Sequence, residues 1–194
     1  SLFRVAPGDH CTGGIGGVHH GDAYDISADL IELAKTKVAV VCAGAKSILD
    51  LGLTLEYLET HGVPVWGYQT HEFPAFYARQ SGFTLEQRFD TPEAVASAIR
   101  YHFALNETGL VVANPIPLES ALESAYMNEV IALALEEAQR EGIQGKAVTP
   151  YLLKHLQVMS EGLALEANQA LVFHNAKVGA TIAVALNQQK KGAL

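Results

Sequence analysis

The sequence predicts an α/β fold: a three-layer α/β/α arrangement with a largely parallel or mixed sheet and a helical C-terminal third. Strand-length apolar runs alternate with helical stretches up to residue 117. The runs "KVAVVCAG" and "GLVVANPIP" are continuous and valine-rich, as in strands buried on both faces. Beyond residue 117 the pattern is helical. With 194 residues, 49% of them hydrophobic, the chain is long enough for one good core and reads as a single α/β domain spanning 1–194.

Residues 12–21, "TGGIGGVHHG", carry five glycines in ten positions and predict a loop, or a strand end crowded against a neighbour. "DISADLIELAKT" follows, with Asp25 or Ser27 as the cap of a short helix that buries Leu30, Leu33 and Ala34. Strand 37–44 comes next, then a helix from about 46 to 60 closed by Gly62. "VPVWGYQT", 63–70, is a second strand. Thr91 caps a helix with Pro92 in its first turn, and 109–117 is a third strand stopped by prolines. Helices over about 119–141, 149–160 and 163–188 complete the chain, the first ending at Gly142 and the second capped by Thr149 with Pro150 after it. "NQQKKGAL" is expected to fray.

Composition narrows the function classes. No apolar run approaches the roughly 18 residues that span a bilayer, and "SLFRVAPGDH" lacks a signal-type apolar core. A net charge of −8, with basic residues clustered only in "QQKK", argues against a nucleic-acid-binding face. The two cysteines, Cys11 and Cys42, suit a reducing cytoplasm better than a disulfide framework.

Ligands of open α/β sheets gather at the carboxyl ends of strands. Two such ends carry unusual residues here, "CAGAK" and "ANPIP". The "TGGIGG" loop could bring backbone N–H groups to a phosphate, although its spacing matches neither a P-loop nor a dinucleotide fingerprint. Lys46 stands out as a cation with no acid beside it in sequence. At a helix N-terminus the macrodipole and burial would both favour its neutral, nucleophilic amine; on pattern alone, a solvated helix-start lysine is the commoner case. Asp25, Ser27 and Asp29 are equally consistent with a helix cap and its first-turn carboxylate. His19 and His20 suit a plain loop as well as a ligand pair. Asn168 suits a helix–helix hydrogen bond as well as a ligand contact.

These segments together resemble the pseudouridine-5'-phosphate glycosidase family, also called indigoidine synthase A-like. The stretches that carry the resemblance are "TGGIGGVHHG", "DISADL", "VVCAGAKSILDLGLTLEYLETHGVPVWGYQT", "FPAFYARQSGF", "VVANPIP", "GKAVTPYLL" and "LEANQALVFHNAKV", in family order from about residue 12 to 188. The resemblance implies an enzyme of pseudouridine breakdown that reversibly converts pseudouridine 5'-phosphate and water to ribose 5-phosphate and uracil. The family opens the ribose ring and forms an imine between a lysine and the sugar C1', an electron sink while the uracil carbon is protonated and leaves. Lys46 stands at the position of that nucleophile. Asp25 matches a manganese-binding aspartate. Ser27, Ala28 and Asp29 match a substrate-contacting segment, Asn168 an active-site asparagine, and His19 a position near the phosphate or metal. The resemblance also implies a homotrimer.

Two departures stand against it. The N-terminal part of the family, which carries the proton-donating glutamate and a second substrate-binding lysine, has no counterpart here. The stretch from His19 to Asp25 is also a couple of residues shorter than usual. The alternative is therefore a catalytically impaired relative that binds a sugar phosphate or serves in an assembly. Without the resemblance, a Schiff-base lyase or aldolase acting on a phosphosugar fits the same lysine.

Overall fold

The computed structural model describes residues 3–6, 9–20, 22–143 and 147–191. Its elements are β1 (Phe3–Ala6), β2 (Asp9–Cys11), β3 (Val18–His19), β4 (Asp22–Ile26), α1 (Ala28–Leu33), β5 (Ala39–Cys42), β6 (Leu49–Asp50), α2 (Leu51–Thr60), β7 (Val65–Tyr68), β8 (Gln87–Phe89), α3 (Pro92–Leu105), β9 (Leu110–Ala113), a short 3-10 turn (Leu118–Ser120), α4 (Ser124–Arg140), α5 (Val148–Met159) and α6 (Leu163–Lys191).

The main sheet has six strands in the order β1-β2-β5-β9-β7-β8. Only the β1–β2 pair is antiparallel; the remaining neighbours run parallel, so the sheet is mixed and largely parallel as expected. The valine runs are buried on both faces, and alternate residues serve opposite cores. Val40, Cys42 and Val111 join Leu30, Leu58, Met127 and Leu156 on one side. Val41 and Val112 join Trp66, Val95, Ile99 and Ile182 on the other. This period-two division is why the runs are continuous in sequence.

Helix starts follow local chemistry. Thr91 Oγ1 accepts from Ala94 N at 3.2 Å, with Pro92 at the first helical position. Ser27 Oγ accepts from Asp29 N at 3.2 Å, so Ser27 rather than Asp25 caps α1.

Several expectations need correction. The helix expected from 46 begins only at Leu51, where Asp50 Oδ1 accepts from Leu53 N at 2.9 Å. The five residues before it form a turn and β6, because the β3–β4 hairpin supplies an edge to pair with, giving a second sheet ordered β4-β3-β6. Val148 opens α5 with Ala147 at the N-cap position, so the helix starts before Thr149 and Pro150 lies within its first turn. The C-terminal "NQQKK" does not fray: α6 continues to Lys191, and Gln189 Nε2 donates to Glu93 O and Ser97 Oγ of α3, each at 3.0 Å. The final residues, 192–194, lie outside the described part.

Candidate active site

Lys46 is placed by backbone. Beyond the ends of β2 and β5 the parallel ladder continues through the glycine-rich segment: Thr12 N donates to Val41 O at 3.1 Å, Ala43 N to Gly13 O at 2.8 Å, Ile15 N to Gly44 O at 3.0 Å and Lys46 N to Ile15 O at 3.1 Å. The "TGGIGG" segment is therefore a strand extension rather than an open cradle. The N–H groups of Gly16 and Val18 are also engaged, by Asp29 Oδ2 at 2.8 Å and Thr54 Oγ1 at 3.0 Å.

The glycines are required by close approach. A Cβ at Gly14 would lie 2.6 Å from the Phe76 ring, and one at Gly16 would lie 2.0 Å from Ser27 Oγ. Gly44, at φ +87°, passes under Pro74, whose carbonyl oxygen would stand 2.1 Å from an added Cβ.

Lys46 itself is half-buried between buried Ala45 and Ile48. Among the described residues its ammonium has neither an ion pair nor a hydrogen bond to the protein. Its carbonyl accepts from Leu49 N at 3.0 Å, which closes the turn into β6. Since α2 starts after Asp50, the helix-dipole argument for Lys46 does not apply.

Three of the other predicted residues converge on this segment. Ser27 and Asp29 meet it at Gly16, and Ser27 N donates to Gly17 O at 3.0 Å. Asn168 reaches it from α6: its Oδ1 would stand 3.3 Å from a Cβ at Gly13. Ala28 is exposed at the start of α1 and Asp25 is exposed on β4. His19 is half-buried on β3, opposite Asp22 on one side and Leu49 on the other. His20 is exposed, with Nδ1 3.7 Å from Asp50 Oδ2. Among the described residues no group of three or more His, Cys, Asp or Glu side chains is placed to hold a metal. Asp25 alone suits a hydrated hard cation that keeps most of its waters.

A cavity of about 410 Å³ begins at the residue after Lys46 and is lined in part by His20, Ser47, Asp50, Phe83, Met127 and Ile131. A larger one, about 830 Å³, lies beyond the carboxyl ends of β7 and β9, with Thr70, Arg79, Arg88 and Pro115 in its wall and none of the predicted site residues. The convergence of Ser27, Asp29 and Asn168 on the strand extension that also binds the Lys46 backbone outweighs volume as an indicator of chemistry. The thiol of Cys42, at the end of β5, is pushed up to about 12 by burial and is no competing nucleophile.

Sequence reasoning missed Asn114 and Asn175. Both are buried, and Asn114 Nδ2 donates to Asn175 Oδ1 at 2.8 Å. The signal was present: Asn114 belongs to the unusual strand end "ANPIP", and Asn175 follows Asn168 by seven residues, on the same helix face. Thr54 was also missed; it bridges Val18 N and Asp50 O from inside α2.

Comparison with known proteins gives a consistent result. Residues 10–185 match the family described as indigoidine synthase A like protein. The pseudouridine-5'-phosphate glycosidase of Alkaliphilus metalliredigens is 55% identical over 180 residues, covering 91% of this chain and 59% of that protein. The Staphylococcus aureus protein of the same name is 56% identical over 180 residues, again covering 91% and 59%. The crystal structure of the prealnumycin C-glycosynthase in complex with ribulose 5-phosphate superposes with a TM-score of 0.89 at 40% identity, covering 94% of this chain and 61% of that one. An indigoidine synthase A-like protein from Thermotoga maritima gives 0.80 at 36% identity, covering 90% and 59%. The chain thus spans about 60% of the length of these relatives.

Proposed function

The chain belongs to the indigoidine synthase A-like family, and on that premise we propose that it acts as a pseudouridine-5'-phosphate glycosidase, cleaving the C–C glycosidic bond reversibly to ribose 5-phosphate and uracil. The observation that carries the proposal is Lys46: a half-buried residue whose side chain has no ion pair among the described residues and whose backbone N–H donates to Ile15 O at the carboxyl edge of the sheet. Structural salt bridging does not account for it, and the resemblance gives the matching lysine a covalent role.

In the proposed reaction Lys46 Nζ bonds to C1' as the ring oxygen leaves and takes a proton. The electron pair of the C1'–C5 bond then passes to C5 of uracil, which is protonated, leaving a C1'=N imine on the lysine. Water hydrolyses the imine, releasing ribose 5-phosphate and the free amine. Ser27, Ala28 and Asp29 contact the sugar phosphate, with Asp29 fixed by its bond to Gly16 N. Asn168 contacts it from α6, and His19 stands near the phosphate or metal. Asp25 is the proposed protein ligand of a divalent ion, manganese by resemblance, which would supply positive charge to a bound oxyanion. The proton donor is assigned to no residue of this chain.

A homotrimer in a cytoplasmic setting completes the proposal. Exposed apolar side chains such as Leu118, at 76%, and Phe173, at 75%, support self-association. No helix among the described residues is long and apolar enough to cross a membrane.

A uracil-release assay tests the reading. Pseudouridine 5'-phosphate should yield uracil with the wild-type chain and none with Lys46→Ala, whereas a folded wild-type chain that releases none contradicts it. The second reading is a sugar-phosphate-binding or assembly subunit. Ribose 5-phosphate binding without uracil release would select that one. A Schiff-base lyase would instead cleave within the sugar and leave uracil attached.

A further inference from the structure

The face that α6 turns to the sheet changes character at one place. Through Val178 and Ile182 it packs on Cys11 and Val41 in an apolar core. At Gly179 it approaches β2 so closely that a Cβ would lie 2.1 Å from Cys11 Sγ. One turn earlier stands Asn175, with 0% exposure. Its Nδ2 donates to two carbonyls of the glycine-rich strand extension, Thr12 O at 2.8 Å and Gly13 O at 3.2 Å. Its Oδ1 accepts from Asn114 Nδ2, and the Asn114 N–H donates to Cys42 O at 2.8 Å. The amide plane is therefore held from both ends, with donor and acceptor assigned by the network.

We propose that Asn175, oriented by Asn114, is a positioning residue that sets the catalytic lysine in register. Gly13 O accepts both from Asn175 and from Ala43 N, and two residues along Ile15 O accepts from Lys46 N. The clamp thus acts on the strand extension that fixes the lysine's backbone. It also fixes the rotation of α6. Asn168, seven residues earlier, then falls on the same face and meets Gly13. One buried amide in this way sets two groups of the site, the lysine from the sheet side and Asn168 from the helix side. An apolar residue at 175 would leave the Thr12 carbonyl without this partner and the register to packing alone. The chemical consequence rests on the glycosidase reading above; the mechanical one does not.

The test uses the full chain and two variants. Asn175→Asp keeps the shape and loses both donations. Asn114→Ala leaves the donations possible and removes the group that orients them. Hydrogen–deuterium exchange should rise about tenfold in peptides covering 12–18 and 43–48 in Asn175→Asp, and by less in Asn114→Ala, with 110–113 and α3 unchanged. Borohydride trapping with ribose 5-phosphate should show a maximal adduct rate on Lys46 lower by roughly 10- to 100-fold, at a half-saturating concentration little changed. Exchange that is unchanged in both variants, or that rises evenly along the chain, overturns the clamp. If Asn175→Asp does not fold, Asn114→Ala decides by the same pattern. If exchange is localised but trapping keeps its wild-type rate, the link to Lys46 is overturned. If wild type itself forms no adduct, the glycosidase reading falls and the exchange pattern alone decides the clamp.

Discussion

Lys46 owes its setting to neutral neighbours and backbone bonds, and the same is true of most residues around it. Ser27 illustrates how one side chain serves fold and site together: it caps α1 through Asp29 N and lies against Gly16. Ser27→Ala should cost about 1 kcal/mol of stability, read as a lower denaturation midpoint at unchanged slope. Gly16→Ala should be worse for the site, because its Cβ would start 2.0 Å from Ser27 Oγ and 3.0 Å from Asp29 Oδ2. It should abolish sugar-phosphate binding measured by calorimetry while the circular dichroism spectrum is retained. Cys42 should remain unmodified by an aromatic disulfide reagent at pH 8 until the chain is unfolded, since burial holds its thiol near 12. At this scale Lys46 was legible as a candidate only through the family resemblance, since on pattern alone a solvated lysine is the commoner case. Its surroundings were not, because the partners of Gly13, Gly16 and Ile15 lie far away in sequence.

Among the elements, α6 does the most to join distant parts. It touches β2 through Gly179, the glycine-rich extension through Asn175 and Asn168, and α3 through Gln189. Gly179→Val should destabilise by about 1–3 kcal/mol through overpacking against Cys11, seen as a lower thermal midpoint, and Cys11→Ala in the same chain should recover part of the loss. Strands β5, β7 and β9 and the long helices were readable from apolar runs, caps and periodicity, whereas the short β1, β2 and β8 of the same sheet were not. The β3-β4-β6 sheet was not: strands of two to five residues carry too little pattern, and "ILD" has its strand character only because β3 lies beside it. That misreading moved the start of α2 and put Lys46 on a helix it does not belong to.

For the whole molecule, acid sensitivity has an identifiable contributor. His174, on α6, is held below its ordinary value near 6.5, first by burial and then by the charges of Lys177 and Arg79, with Glu119 opposing. The folded chain therefore binds fewer protons at this group than the unfolded chain does. Its contribution is intact above the unfolded value and is lost as the pH falls from about 6.5 through the lower folded value. Thermal midpoints measured from pH 7.5 to 5 should fall, and His174→Gln should flatten that slope; an unchanged slope would show that His174 does not contribute. The architecture as a whole was legible, because composition and alternation constrain layers strongly.

Lys46 is the proposed nucleophile toward a sugar aldehyde, and covalent trapping tests it directly. The chain should be incubated with ribose 5-phosphate and Mn²⁺, reduced with borohydride, digested and mapped by mass spectrometry. A sugar-phosphate adduct on Lys46, absent from Lys46→Ala and from a control without borohydride, is the predicted result. A folded wild-type chain that binds ribose 5-phosphate yet carries no adduct at Lys46 would contradict the claim.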